Sequence, residues 1–297
     1  MTAPNILRAL TAILLFCSLA QAGLLVSPAE YAASVNDTQI TFIDVGQGES
    51  ILISAPLNRH MLIDAGGELA VGHNAGTERI VPLLKSRGVK RLEYLVVSHP
   101  HPDHILGLEP VMKAFPVGSF MDGGMGGGVL EIKKARRAAR NQGANYRKLS
   151  AGDSFDLGNG VKLEVLAPPE NGLFETVNDN SLVLKLTYVD VSVLFTGDAE
   201  TEEEKWLAAN HGDKLLSDLL KSPHHGSSTS VYAPFLERVN PAAVVISCAM
   251  VNEFGHPHAQ TLAKYKKSRY KVYRTDYNGT VTVTTDGSRY KIEAERP

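Results

Sequence analysis

The sequence predicts an α+β fold with two strand-rich regions, each followed by helical segments. Hydrophobic residues make up 43% of the 297 positions, which is enough to fill a substantial core. Short apolar runs bounded by turn residues occur in both halves of the chain and predict strands. No short-period repeat is present, and we expect one domain over residues 23–297.

Strands and helices can be assigned in order along the first half. Residues 39–53 and 59–64 are predicted strands separated by a proline-containing turn. Residues 103–115 are a predicted helix that bends near Pro110, and residues 131–142 are a predicted basic helix. The glycine-rich stretch between the two helices is predicted to be a mobile loop.

The second half continues in the same style. A helix is predicted over residues 201–210 with Thr201 as its cap, and a terminal hairpin is predicted to turn at Asp286-Gly287. The predicted strands of this half are residues 161–167, 181–188, 191–196, 219–221, 243–247 and, in the hairpin, 280–285 and 290–293.

The first 22 residues have the pattern of an export signal. Arg8 supplies a positive n-region, residues 9–19 are mostly apolar, and Ala20-Gln21-Ala22 is an A-x-A cleavage site. The apolar stretch is shorter than the about 20 residues that a membrane span needs, so we expect cleavage rather than a retained anchor. Residues 1–22 are therefore a predicted signal peptide. The mature protein is expected to be periplasmic or secreted, without a stable membrane span.

Charge is nearly balanced over the whole chain but not along it. The formal net charge of −2 gives no general attraction to nucleic acid. Two basic clusters, within residues 133–148 and 264–271, contain no acidic residue and can attract phosphates. A solvated helix face or strand flank is the alternative explanation for each cluster.

Residues 98–104, Ser-His-Pro-His-Pro-Asp-His, are the most informative feature of the chain. Three histidines and one aspartate lie within six positions, directly after the apolar run 92–97. Imidazole and carboxylate groups suit zinc and the neighbouring first-row metals. A metal with an open coordination position lowers the pKa of bound water to about 7 and so generates hydroxide at neutral pH. The alternative is a polar surface loop, which explains this spacing poorly.

This pattern resembles the HxHxDH signature of the metallo-β-lactamase superfamily. Within it, the chain is similar to the soluble hydrolase domain of ComEC-type competence proteins and its stand-alone relatives. The segments that carry this similarity are Phe-Ile-Asp-Val-Gly-Gln-Gly at 42–48, Asn-Asp-Asn-Ser at 178–181, Pro-His-His-Gly-Ser at 223–227 and Gly-His-Pro-His at 255–258. The resemblance covers nearly the whole mature chain. It implies a four-layer αβ/βα sandwich, in which two mixed sheets pack face to face with helices outside and a metal site at one edge.

The resemblance also implies a set of metal ligands. His99 and His101 are expected to share one ion. Asp103 and His104 are expected to face a second ion, with Asp198 bridging the two. The expected ligands are His99, His101, Asp103, His104, Asp198 and His224. The residues expected to support these ligands or to contact substrate are Asp44, Asp64, Asn178, Asn180 and Ser227.

One ligand that is usual in the superfamily is missing from this chain. No histidine lies between His104 and His211, and the place of the usual one is taken by the segment with Asn178 and Asn180. Oxygen ligands suit harder ions than imidazole does. The resemblance therefore implies one or two ions of Zn²⁺ or Mn²⁺ per chain, with the first site the weaker.

Further residues are expected to take part in the chemistry. Of the neighbouring His224 and His225, one is expected to ligate metal while the other faces substrate; His224 is placed in the ligand set and His225 in the catalytic set, with the reverse left open. His256 and His258 are expected to bind a substrate phosphate or to donate a proton. Asp103 is expected to serve catalysis as well as metal binding.

Together these features predict an exported metal-dependent hydrolase, in the first place a phosphodiesterase or nuclease that uses a metal-bound hydroxide. Extra imidazoles and hydroxyls beside the metal favour a phosphodiester substrate, including DNA, because they can stabilise a pentacoordinate phosphorus. The same chemistry serves phosphorylated cell-wall polymers, esters, lactones and β-lactams, and a narrow apolar pocket would favour the last three. The alternative from another class is a non-catalytic DNA-binding accessory protein for uptake.

Overall fold

A computed structural model describes residues 37–170 and 174–296. The predicted signal peptide, residues 1–22, lies outside these described residues. Within them, no helix is both long enough and apolar enough to cross a membrane.

Two large sheets contain most of the strands. In chain order the strands are β1 (Thr38–Phe42), β2 (Ile51–Ala55), β3 (Arg59–Ile63), β4 (Glu68–Ala70), β5 (His73–Asn74), β6 (Leu92–Val97), β7 (Val117–Asp122), β8 (Asn145–Lys148), β9 (Ser154–Gly158), β10 (Val161–Ala167), β11 (Val183–Tyr188), β12 (Val191–Phe195), β13 (Leu219–Lys221), β14 (Ala243–Ile246), β15 (Lys271–Arg274), β16 (Val281–Thr285) and β17 (Tyr290–Ala294). The first sheet has the order β17-β16-β1-β2-β3-β6-β7-β8, and the second has the order β15-β14-β13-β12-β11-β10-β9. Strands β4 and β5 form a separate hairpin.

The helices follow the strands in both halves. They are α1 (Val81–Ser86, continuing a π-helical turn over Gly76–Ile80), α2 (Pro102–Ile105), α3 (Leu108–Ala114), α4 (Leu130–Asn141), α5 (Thr201–His211), α6 (Ala233–Val239), α7 (Ala259–Lys267) and α8 (Thr275–Asn278). Short 3₁₀ turns cover Pro56–Asn58, Asn178–Asn180, Gly212–Leu215 and Pro223–Gly226.

Each large sheet is half antiparallel and half parallel. The first is antiparallel from β17 to β3 and parallel from β3 to β8. The second is antiparallel from β9 to β12 and parallel from β12 to β15. The prediction of two mixed sheets is confirmed.

Three apolar clusters hold the layers together. The central cluster lies between the two sheets and includes Phe42 of the first and Phe195 of the second, with ring centroids 6.3 Å apart. A second cluster joins the other face of the first sheet, with Leu95, to helices α1, α3 and α4. The third joins the other face of the second sheet, with Leu194, to α5, α6 and α7. The order helix, sheet, sheet, helix confirms the predicted four-layer sandwich.

Two predicted elements differ from those observed. The single strand predicted over residues 39–53 is two strands, because the backbone at Gly48, with φ of 135°, turns the chain between β1 and β2. The helix predicted over residues 103–115 is broken at Leu106-Gly107 instead of bending at Pro110. That proline lies in the first turn of α3, where the lost N–H is not needed. The basic helix α4 and the terminal hairpin of β16 and β17 agree with the prediction.

Candidate metal centre

The carboxyl ends of strands from both sheets meet at the predicted metal-binding motif. The motif over residues 98–104 follows β6, and Asp64 follows β3, the parallel neighbour of β6. In the second sheet Asp198 follows β12, and His224-His225 follow the parallel neighbour β13. Parallel neighbours end at the same edge of a sheet, so their loops are brought together there.

Four residues form a tight cluster of metal-ligand atoms. One side-chain atom each from Asp103, His104, Asp198 and His225 lies within 4.8 Å of the other three. Nε2 of His104 is 3.3 Å from Nε2 of His225 and 3.3 Å from Oδ2 of Asp198. Nε2 of His225 is 3.2 Å from Oδ2 of Asp103 and 3.3 Å from Oδ2 of Asp198. All four are buried except Asp103, which is half-buried.

Hydrogen bonds at the far side of each ring place a proton on Nδ1 of both histidines. Nδ1 of His225 is 2.8 Å from the carbonyl oxygen of Ser247, which can only accept, so Nδ1 carries the proton. Nδ1 of His104 donates in the same way to Oδ2 of Asp64 over 2.7 Å. In the neutral rings, both Nε2 atoms are then lone pairs that point into the cluster.

The donor set fits a divalent metal ion. Two imidazole nitrogens and two carboxylate oxygens converge here, and a divalent cation could replace the protons that hold these groups together without metal. Ligands about 2.0–2.1 Å from a tetrahedral zinc ion lie roughly 3.3 Å from one another. This matches the four separations of 3.2–3.3 Å, whereas Nε2 of His104 is 3.8 Å from Oδ2 of Asp103. Oδ1 of Asp198 is buried and has no hydrogen-bond partner among the described residues. It is therefore free to reach a second ion.

Electrostatics in the cluster also favour a central positive charge. Burial disfavours a charged imidazole, but the carboxylates of Asp198 and Asp103 outweigh it and raise the pKa of His225 to about 9. Burial likewise opposes ionisation of Asp198, but the imidazoles of His225 and His104 hold its pKa well below the ordinary value. A divalent cation at this position would supply the positive charge that the two carboxylates otherwise draw from protonated imidazoles.

A second group of nitrogen atoms lies near the same oxygen of Asp198. Nε2 of His99 is 3.1 Å from Nδ1 of His101 and 3.7 Å from Oδ2 of Asp198. Nε2 of His224 is also 3.7 Å from that oxygen. Burial and the neighbouring His104 hold the pKa of His99 well below its ordinary value, so this ring is neutral and able to bind metal. Asp198 is thus close to both groups of candidate ligands.

The two adjacent histidines differ from the predicted assignment. Their backbones are left-handed, with φ of 44° at His224 and 52° at His225, a strained geometry for side-chain-bearing residues. This turn directs His225 into the four-residue cluster, whereas Nδ1 of His224 lies 3.0 Å from Oε1 of Glu200. The sequence assigned the metal to His224 and the substrate side to His225. The structure brings His225 among the ligand atoms and holds His224 at their margin.

Of the two aspartates expected behind the ligands, only Asp64 lies there. It is fully buried, and it accepts hydrogen bonds from the Ser98 backbone over 2.7 Å, from the Ser98 hydroxyl over 2.6 Å and from His104. The Asp44 carboxylate instead accepts from the Gly46 backbone and from Arg296. Sequence could not separate the two, because each follows an apolar strand and precedes a glycine turn.

The two asparagines that replace the usual histidine have different surroundings. Nδ2 of Asn178 is 3.5 Å from Nε2 of His224, and its Oδ1 is buried without a partner among the described residues. The amide of Asn180 is occupied by the backbone of Phe174 and Thr176 over 2.6–3.1 Å. Asn178 is therefore the one whose oxygen is open to a metal or a substrate.

Between these asparagines, Asp179 anchors their turn to helix α5. Its Oδ1 accepts the backbone N–H groups of Glu200 and Glu203, both over 3.1 Å. The carboxylate therefore caps the amino end of the helix, a role that the sequence predicts for Thr201. This contact fixes the turn beside the strand end that carries Asp198.

Of the remaining predicted site residues, one lines the cavity and two form hydrogen bonds within the neighbouring loop. His256 lines the cavity beside the cluster, and burial and neighbouring imidazoles lower its pKa to about 4, so it is neutral at pH 7. Nδ1 of His258 accepts from the Ser228 backbone over 2.9 Å. The Ser227 hydroxyl bonds to Thr229 over 2.8 Å. His258 and Ser227 thus stabilise the loop that presents the histidine pair.

An open cavity of about 440 Å³ adjoins the ligand cluster. Its lining residues are Gln47, His101, Pro102, Asp103, Asn178, Asp198, His224, His225, Phe254 and His256. Sequence reasoning missed Gln47, although it lies within the recognised segment 42–48, and it missed Glu200 and Phe254, which belong to no metal pattern. Apart from Pro102 and Phe254, the lining residues have polar side chains, although most of the surface that they expose to the cavity is apolar.

Comparisons with known proteins agree with the predicted family. The chain is 31% identical over 266 residues to ComE operon protein 3 of Bacillus subtilis (strain 168), and 32% identical over 252 residues to competence protein ComA of Neisseria gonorrhoeae. Each match covers 84% of this chain and 33% of the relative, so the chain spans about a third of the length of these curated relatives. The predicted similarity to competence proteins is confirmed.

A solved structure shows the same fold. The crystal structure of the metallo-beta-lactamase fold protein YhfI from Bacillus subtilis superimposes with a TM-score of 0.51 at 13% identity, covering 80% of this chain and 96% of that one. Residues 43–249 match the family model of the metallo-beta-lactamase superfamily. The chain therefore belongs to the metallo-β-lactamase superfamily.

Proposed function

We propose that the protein is an exported metal-dependent phosphodiesterase that cleaves nucleic acid. The observation that carries the proposal is the convergence of four candidate metal-ligand residues beside an open cavity. These residues are Asp103, His104, Asp198 and His225. Export rests on the signal-peptide pattern of residues 1–22, and amino-terminal sequencing of the protein from the periplasm or medium tests it.

The ligand groups divide into two candidate ion positions that share Asp198. Asp103, His104 and His225 would hold one ion, while His99 and His101 would hold the other. The amide oxygen at Asn178 adds a hard donor to the second position, which favours manganese beside zinc there. When bound, such ions polarise a phosphoryl oxygen and lower the pKa of water to supply a nucleophile.

Unpartnered polar atoms in the cavity wall are matched to a phosphodiester. Nε2 of Gln47 and Nδ1 of His256 are buried and have no hydrogen-bond partner among the described residues. Because His256 is neutral at pH 7, it offers a hydrogen bond and is a poor proton donor. Phosphate oxygens accept such bonds, and the amide of Gln47 is placed to give one.

A substrate panel tests the proposal directly. Protein stripped of metal and reloaded with Zn²⁺ or Mn²⁺ is assayed with bis-p-nitrophenyl phosphate, single-stranded DNA, a lactone and a β-lactam. We expect turnover of both phosphodiesters, lost in Asp198→Asn and retained in His73→Ala, whose ring is exposed and pairs with Glu78. Turnover of the lactone or β-lactam alone would overturn the proposal. Binding of DNA without turnover would favour the accessory-protein alternative.

A further inference from the structure

We infer that Phe254 forms a stacking subsite for a nucleobase next to the metal centre. The inference rests on the proposed phosphodiesterase function and specifies the part of the substrate that the cavity rim recognises. The subsite would take the base on one side of the scissile phosphate.

Phe254 is an exposed aromatic ring that lines the catalytic cavity. Its exposed fraction is 53%, yet it borders the same cavity as Asp198 and His225. Met250 and Val251 of the same loop are more exposed, at 68% and 90%, but they do not line the cavity. A single exposed hydrophobic residue needs no explanation by itself. An aromatic ring at the rim of the ligand cluster lies where a bound substrate would contact it.

Phe254 is the outermost of three nearly parallel rings. The rings of His225 and His256 lie 6.2 Å apart with an interplanar angle of 26°, and those of His256 and Phe254 lie 5.6 Å apart at 25°. Offset parallel stacking of this kind is a favourable arrangement of aromatic rings. The series leads from a metal ligand to the solvent, and its last member has an exposed surface. A planar base would extend the series by one ring.

The loop that carries Phe254 is held rigid by one side chain. Oδ1 of Asn252 accepts the backbone N–H groups of Phe254 over 3.2 Å and of His256 over 2.9 Å. Its Nδ2 donates to the carbonyl oxygens of Ala249 over 2.9 Å and of His256 over 2.7 Å. The ring is therefore positioned before substrate arrives, which lowers the entropic cost of binding.

The chemistry of the site favours a base over an aliphatic or membrane partner. Every base has a flat π face, and stacking on an aromatic side chain tolerates any sequence. A phosphodiester whose phosphate lies at the metal ligands carries a sugar and base within reach of the cavity rim, where Phe254 lies. An apolar chain or lipid surface would instead contact Met250 and Val251, which are more exposed than Phe254.

A dinucleotide with one phosphodiester bond tests the subsite, because its scissile bond is known. The substrates are thymidylyl-thymidine and two analogues in which one or the other base is replaced by hydrogen. With metal-loaded wild type, we expect KM to rise about 5- to 100-fold for one analogue. With the intact dinucleotide, Phe254→Leu should have the raised KM that wild type has with the analogue. With the analogue, the KM of Phe254→Leu should not rise further. Phe254→Trp should keep the wild-type pattern, and Met250→Ser, outside the cavity, should behave as wild type.

The outcomes separate the subsite from the proposed function. If wild type cleaves all three substrates with equal KM, the stacking subsite is wrong while the phosphodiesterase stands. If Phe254→Leu raises KM equally for the intact and the abasic substrates, the ring stabilises the loop and does not bind a base. If no phosphodiester is cleaved with either metal, the proposed function itself fails. If Phe254→Leu loses only binding to phosphatidylglycerol vesicles, the ring belongs to a membrane surface and the inference is overturned.

Discussion

The ammonium group of Lys221 pairs with the carboxylate of Glu49, and both side chains are completely buried. Glu49 lies in the loop between β1 and β2, whereas Lys221 ends β13, so the pair joins the two sheets. Nζ of Lys221 also donates to the carbonyl oxygens of Gly197 over 3.3 Å and of Ser222 over 2.9 Å. The backbone N–H of Glu49 donates to the carbonyl oxygen of Asp103 over 3.1 Å. One ion pair thus connects the segments that carry the candidate metal ligands of both sheets.

Breaking this ion pair should destabilise the fold strongly. Lys221→Met leaves the Glu49 carboxylate buried without a counter-charge, and we expect a loss of about 3–5 kcal/mol in the free energy of unfolding. The double variant Glu49→Gln/Lys221→Met removes the stranded charge and should recover part of that loss. Urea denaturation of the three proteins measures both effects. Equal losses in the single and double variants would show that the charge is not the cause.

Metal content should distinguish the two adjacent histidines. His225→Ala removes an atom from the four-residue cluster, so elemental analysis should find fewer ions per chain than in wild type. His224→Ala should lose less, since that ring lies at the margin and is held by Glu200. His73→Ala is the matched control and should keep the wild-type content. A larger loss in His224→Ala than in His225→Ala would restore the assignment that the sequence suggested.

Metal preference should depend on Asn178 and not on Asn180. Asn178→His supplies an imidazole where the amide oxygen now lies without a partner among the described residues, and it should shift the preference from manganese toward zinc. Competition titrations with the two metals measure this shift. Asn180→His removes the hydrogen bonds to the backbone of Phe174 and Thr176, so it should lower Tm without changing the preference. An unchanged preference in Asn178→His would remove that residue from the metal site.

A buried carboxyl in helix α5 should make stability depend on pH. Burial, with Asp179 and Glu204 adding to it, raises the pKa of Glu203 well above its ordinary value. The folded protein then binds this proton more tightly than the unfolded chain does. The resulting contribution to the free energy of unfolding is full below about pH 4.3, the ordinary pKa of Glu, and falls as pH rises. Glu203→Gln should therefore gain stability over wild type between pH 5 and pH 8 in urea denaturation. Glu202→Gln, an exposed neighbour, should show no such trend.

The sequence predicted the elements that depend on local patterns. The HxHxDH turn had to follow a strand because an apolar run precedes it, and its histidines do meet at a strand end. The basic helix α4 and the terminal hairpin likewise follow from periodicity and a turn dipeptide. These features depend on residues that are near one another in sequence and not on contacts between distant segments.

Features that depend on packing partners could not be predicted. Asp44 and Asp64 occur in nearly the same local sequence, but β3 borders β6 and the metal motif, whereas β1 borders β16. The orientation of His224 and His225 depends on two consecutive left-handed backbones. Such strain is maintained only by tertiary contacts that sequence does not display.

The last prediction concerns the basic helix α4 and its reach to DNA. Arg136 is already occupied, since it donates to Asp122 and lies 4.9 Å from the ring centroid of Tyr146. Lys133 and Arg137 are exposed on the same helix one turn apart, and they carry the charges available to a phosphate backbone. Lys133→Ala/Arg137→Ala should raise KM for single-stranded DNA. It should also lower the salt slope of binding by about 0.7 for each phosphate that these side chains neutralise in the wild type.

A control of equal charge separates direct phosphate binding from net charge in this experiment. Lys85→Ala/Lys90→Ala removes two exposed cations elsewhere and should leave KM for DNA near the wild-type value. Turnover of bis-p-nitrophenyl phosphate should stay unchanged in both variants, because a small ester has no backbone to reach the helix. The metal-binding motif and the loop before α4 are in close contact. Gly126 of this loop lies so near Pro100 that a Cβ at position 126 would collide with the proline ring. If both double variants lose DNA affinity equally, general electrostatic attraction is the cause, and α4 is then a solvated helix face without a specific part in substrate binding.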